Sequence, residues 1–172
     1  MRHRTAILML ICGMALPALC QAPQETEQNS SEANELKACG AGDREVNYAA
    51  DTDKKTHPLG VQTADKALIY VLRPTMMGNK IQTKLAVDGE WKGVNRGDNY
   101  FFFSLTPGMH YFCSRAENRS VLALQVEAGK TYYLQQEIRM GVMKARNSLA
   151  VIGEDKAKEK LPKLNLSTWE VK

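Results

Sequence analysis

Cys39, His57, His110 and Cys113 are the residues of this chain whose types could do chemistry outside its apolar N-terminus. Two thiols and two imidazoles form a donor set suited to zinc. The same two thiols in an oxidising compartment form a disulfide. The spacing weighs against metal. His110 and Cys113 stand three apart in a segment that reads as a strand, so their side chains leave opposite faces. The prediction is a Cys39–Cys113 disulfide, with no metal and no cofactor. Closing a loop of about 75 residues is worth roughly 4 kcal/mol in chain entropy. A Cys-x-x-Cys redox pair is absent.

The compartment follows from residues 1–22. Arg2 and Arg4 precede an apolar run from Ala6 to Leu16, which Pro17 breaks before small and polar residues lead to Ala22. This is the pattern of a secretory signal peptide. The run is shorter than the roughly 20 residues that a membrane-spanning helix needs. Cleavage is predicted after Ala22, which leaves a periplasmic or extracellular protein. The alternative is a lipoprotein anchored through Cys20, although Leu19 stands where a small residue is usual.

Removing the two leader arginines lowers the net charge from +4 to about +2. Residues 23–50 are acidic and residues 51–172 are basic, but the bases are scattered between apolar positions. Nucleic-acid binding would call for a clustered stripe or a known module, and none is present. Gly-x-Ser-x-Gly, His-Glu-x-x-His and the Walker A pattern are also absent. No catalytic residue is assigned. His110, one step after a turn, reads as a residue that fixes a strand end.

The elements that position these residues are mostly strands. Residues 23–38 are polar and acidic and are predicted to be a disordered linker. Residues 43–48 suggest a short strand, and 50–66 a loop. Residues 67–73 (ALIYVLR) are continuously apolar, which predicts a strand covered on both faces, ended by Pro74. Residues 81–87 alternate, and Asp88-Gly89 is a two-residue hairpin turn that returns the chain through 90–94. That register sets Ala86 opposite Trp91. It predicts Trp91 on the outer face, where it is the candidate ligand contact. Residues 100–105 put Tyr100, Phe102 and Ser104 on one face and Phe101, Phe103 and Leu105 on the other. Strands follow at 109–114, 119–127, 131–139 and 148–152, with turns at Thr106-Pro107-Gly108 and Ala128-Gly129-Lys130. Residues 154–161 read as a short helix, and the tail 163–172 carries Leu164, Leu166, Trp169 and Val171 for docking. Seven or more strands joined by turn signals predict an all-β, mainly antiparallel, β-sandwich-like domain over 39–172 with one short C-terminal helix.

The segments "KALIYVLRP", "VDGEWKGVNRGDNYFFFSLTPGMHYFC" and "VEAGKTYY", with Ala38-Cys39-Gly40 and Thr52–Pro58, carry a resemblance over residues 38–152. The chain resembles a family of small secreted bacterial proteins and lipoproteins known by a domain of unknown function. The resemblance implies a β-sandwich-like domain and an envelope location, and no established catalysis. The resulting expectation is a non-enzymatic binding or structural module for an envelope component or protein partner. The alternatives are a hydrolase acting on envelope polymers and a protein lipid-anchored through Cys20.

Mass spectrometry of the exported protein is expected to find Pro23 at the N-terminus. An acylated Cys20 would establish the lipoprotein, and an intact Met1 would defeat export.

Overall fold

A computed structural model describes residues 25–40, 47–75, 77–140 and 145–172. Residues 1–22, predicted as a signal peptide and holding Cys20, and most of the predicted strand 43–48 lie outside the described residues. The described chain forms two sheets. Strands β1 (Tyr48–Asp53), β10 (Asn165–Val171), β5 (Asn99–Leu105), β2 (Ala67–Arg73), β8 (Thr131–Met140) and β9 (Ala145–Ile152) form the larger, in that order. The smaller runs β4 (Glu90–Asn95), β3 (Thr83–Val87), β6 (Gly108–Arg115) and β7 (Arg119–Val126). Helix α1 spans Glu25–Cys39, and helix α2 spans Glu154–Lys160 with a 3-10 turn after it.

Alternation along each strand sorts its side chains between two layers. Ile69 and Val71 of β2, Phe101 of β5 and Leu134 of β8 face Leu85 and Val87 of β3 and Phe112 of β6 across the inter-sheet core. Leu68, Tyr70 and Leu72 of β2 and Tyr100 of β5 turn the other way, under Ala157, Leu161 and Leu164. Every residue of β2 is therefore buried, as its continuous apolar run implies. Phe101 and Phe103 of β5 join the inner core, and Tyr100 and Phe102 the outer layer.

The inner core is not wholly apolar. Gln136 of β8 accepts hydrogen bonds at Oε1 from Thr83 Oγ1 (3.0 Å) and Asn95 Nδ2 (3.1 Å). Its Nε2 donates to Ser114 Oγ at 2.8 Å. Ser114 Oγ donates to Asn147 Oδ1 at 2.8 Å, and Asn147 Nδ2 returns a bond to the Ser114 carbonyl at 2.7 Å. Asn95 Nδ2 also reaches the Val71 carbonyl at 3.1 Å. Gln136 and Asn147 belong to one sheet and Thr83, Asn95 and Ser114 to the other, so the network bridges the sandwich.

Two expectations are corrected, and the expected docking of the tail takes the form of a strand. The linker 23–38 carries α1 instead. Its composition offers no apolar stripe, but its C-terminal turn is tied down: Ala38 and Cys39 are buried beside Ala86 and Cys113. Gly40 (φ +78°) ends the helix and backs onto Gly89 (φ +82°), whose N–H donates to the Ala38 carbonyl at 3.1 Å. A Cβ on Gly40 would stand 3.0 Å from the Gly89 oxygen. The loop 50–66 begins later than predicted, because β1 continues to Asp53. The tail is a full strand, β10, paired antiparallel with β1 and parallel with β5.

Gln136→Leu is expected to lower stability by about 1–3 kcal/mol, because it strips partners from buried polar groups. Urea denaturation with an unchanged slope checks this.

Candidate functional site

Cys39 and Cys113 form a disulfide, with Cα atoms 5.1 Å apart across a separation of 74 residues. It fastens α1 to β6 and takes both thiols of the donor set. His57 instead packs at a tilt of 49° against Tyr100, at 4.9 Å between centroids. Among the described residues, no three His, Cys, Asp or Glu side chains gather around a common point.

His110 ties two turns together. Its Nδ1 lies 2.6 Å from Asp88 Oδ2 and its Nε2 lies 2.8 Å from the Thr106 carbonyl. Asp88 Oδ1 accepts from the Tyr111 N–H at 2.8 Å. Both ring nitrogens are thus within hydrogen-bond distance of an oxygen acceptor. This geometry secures the strand end after the Thr106–Gly108 turn.

Trp91 pairs with Ala86, the register implied by the Asp88-Gly89 turn, and a bulge follows between Leu85 and Ala86. Its ring is half-buried. One side packs on the Ala38–Cys39 end of α1, and the other meets Tyr48, Ala50 and Val94.

A different place collects polar groups whose bonding capacity is unused. Of the buried side-chain atoms without a partner among the described residues, Arg73 Nε and Nη1, Thr75 Oγ1, Asn95 Oδ1, Arg96 Nε and Gln135 Oε1 all belong to one end of the sandwich. Pro74 creates this end. Proline has no N–H to donate and ends the β2 ladder, while β8 runs on alongside to Met140. The connection to β3 folds across the gap. Asp98 N–H donates to the Arg73 carbonyl at 2.9 Å, Thr75 N–H to Asp98 Oδ1 at 2.9 Å, and Gly97 N–H to the Asn79 carbonyl at 3.1 Å. Gly97 packs so closely on Asn79 and Thr75 that a Cβ would collide with both side chains.

Two clefts flank this connection. The first, of about 430 Å³, is lined by Arg73, Met77, Glu137, Ile138, Arg139 and Lys160, with Pro74 and Gln135. Arg73 is 1% exposed. Its Nη2 donates to the Gly78 carbonyl at 2.9 Å. Burial pushes the Arg73 guanidinium down to about 10, opposed by the nearby Asp98 carboxylate. Glu137 is held by Arg139, at 2.9 Å, and by the amide of Gln135. The lining thus carries three cations and one carboxylate, with Arg139 paired to Glu137 and the Asp98 carboxylate near Arg73. The second cleft, of about 490 Å³, is polar and includes Lys54, Lys80 and Arg96 beside Asp98 and Asn99.

Sequence reasoning missed Arg73, because it closes an apolar run whose next residue is a strand-ending proline. The available signal was a charged residue at a position predicted to be buried on both faces.

Fold and cleft together define a disulfide-linked, two-sheet β protein with a cationic cleft at the broken end of a central strand. The chain belongs to the family described as Protein of unknown function (DUF2846), whose model matches residues 63–148. It is also similar to an uncharacterized protein of Haemophilus influenzae, 26% identical over 100 residues. That match covers 58% of this chain and 60% of the relative's length. No solved structure matches the chain. The family region holds β2 to β8 and part of β9, together with Arg73 and Cys113. Helices α1 and α2, strands β1 and β10, and Cys39 lie beyond it.

A buried guanidinium with two unused nitrogens works against folding. Burial holds its pKa down at about 10, below the ordinary guanidinium value, so the fold disfavours the charged form. For a base with a lowered folded value, that cost applies at every pH below about 10 and fades only as pH rises above it toward the unfolded-state value. Arg73→Met is therefore expected to leave stability unchanged or raise it by up to about 4 kcal/mol. A loss of several kcal/mol in a denaturant melt would make Arg73 a structural support instead.

Proposed function

We propose that this chain is an exported, non-enzymatic binding module that takes an anionic group of an envelope component in the cleft beside Arg73. The observation that carries the proposal is the Arg73 guanidinium itself, buried with Nε and Nη1 unpaired. Burying a cation costs several kcal/mol of desolvation, and the Gly78 carbonyl and the nearby Asp98 carboxylate leave two of its three nitrogens unused. A carboxylate or phosphate oxygen would complete the donor set of the planar fork. The cation excess of the lining favours the same ligand charge, and Pro74, Met77 and Ile138 supply an apolar wall, the usual mixture of a small-ligand site.

Export is supported by the N-terminal pattern and by the Cys39–Cys113 bond, which suits an oxidising compartment. The location implied is the periplasm or the exterior. Among the described residues, no helix is long and apolar enough to cross a membrane.

Calorimetric titration with decanoate, a carboxylate on an apolar chain, tests the anion site. Binding that weakens at least tenfold in Arg73→Met is expected. Equal affinity for the native protein and the variant would overturn the assignment.

A further inference from the structure

The cleft is also the lane that β2 would have followed had it not ended. Strands β2 and β8 run parallel, with Leu68 opposite Thr131 and Leu72 opposite Gln135 as the last pair. The Leu68 N–H donates to the Lys130 carbonyl at 2.9 Å. In a parallel ladder this fixes which residues of β8 turn their backbone toward β2, namely every second one from Lys130 onward. Tyr133, Gln135, Glu137 and Arg139 turn theirs toward β9. Past Leu72 the β2 side therefore presents the Gln136 carbonyl, the Ile138 N–H and carbonyl, and the Met140 N–H. Among the described residues no side-chain or loop hydrogen bond reaches these groups.

Resting on the anion site proposed at Arg73, we infer that the ligand is the C-terminal end of a peptide chain, added as a short strand along this open edge of β8. The direction follows from the charge. A segment antiparallel to β8 ends beside Gln136 and Arg73, so its terminal carboxylate meets the unpaired Nε and Nη1. The rest of the chain leaves past Met140. Backbone bonds to Ile138 supply the ladder, as in other strand-addition complexes. The wall of Pro74, Met77 and Ile138 takes an apolar terminal side chain, and Met77, 44% exposed, stands as a lip. Arg139 and Lys160 favour acidic residues further back in the peptide. Two features independent of each other converge here: a cation with unused donors and a strand edge with unused donors and acceptors.

The test uses the purified protein and two pools of acetylated hexapeptides, randomised at all six positions, one ending in free acids and the other in amides. Capture read by mass spectrometry is expected to retain acids at least tenfold over amides, with apolar last residues enriched. Hydrogen exchange at the Ile138 and Met140 amides should slow at least tenfold with the acids. Neither readout requires a variant. Loss of acid retention in Arg73→Met then assigns the carboxylate contact. Equal retention of acids and amides, or unchanged exchange at Ile138, overturns the peptide inference. If decanoate binds through Arg73 while acids are not retained, the anion site stands and the peptide end falls. If neither binds, both fall.

Discussion

A bridge of buried amides and hydroxyls holds the two sheets against each other, and Gln136 is its centre. An apolar sandwich core is non-directional and tolerates sliding, because hydrophobic burial depends on area and not on alignment. Hydrogen bonds between Gln136, Thr83, Asn95 and Ser114 are directional, and each would cost free energy if left unmade in the interior. Only one placement of β8 against β3, β4 and β6 satisfies them together. That placement also decides where β2 and β8 part company, and so where the cleft lies. Arg73 follows Val71 on the inner side of β2, one position beyond the last ladder pair. It therefore belongs to the polar end of the core that Gln136 begins.

The cleft is a consequence of strand lengths. Proline stops β2, and β8 continues to pair with β9 as far as Met140. The space between is roofed by the connection to β3 and by the turn from β4 to β5, which meet through Asp98, Thr75, Asn79 and Gly97. Arg73 gives this arrangement one hydrogen bond, to the Gly78 carbonyl, and leaves Nε and Nη1 unused. Burial works against the cation, which makes the residue informative about binding rather than stability.

On the outer face of the smaller sheet, α1 is held by contacts that its own sequence does not advertise. The disulfide, the paired glycines Gly40 and Gly89, the Glu35–Arg119 ion pair at 2.5 Å and the Lys37 ammonium over the Tyr111 ring anchor its last turns. They cover Ala86 and part of Trp91, a face that would otherwise be open. The region shared with the family supplies Cys113, and the flanking segment supplies Cys39.

Local patterns in the sequence specified the strands. The apolar run 67–73, the alternation of 100–105 and the Asp88-Gly89 turn each depend on neighbours a few residues away, and all are found as read. The two cysteines named their own bond once a compartment was inferred. Pairing between distant strands was not legible. The Ala128–Lys130 turn looks like a hairpin but carries the chain from one sheet to the other, and β10 reaches β1 from the far end of the chain. Composition also hid α1, since a helix anchored at one end needs no apolar stripe. The candidate site was the least legible part. Its unpaired nitrogens and open strand edge are properties of what lies beside Arg73 and Ile138 in space, and they exist only because two strands of unequal length were brought together.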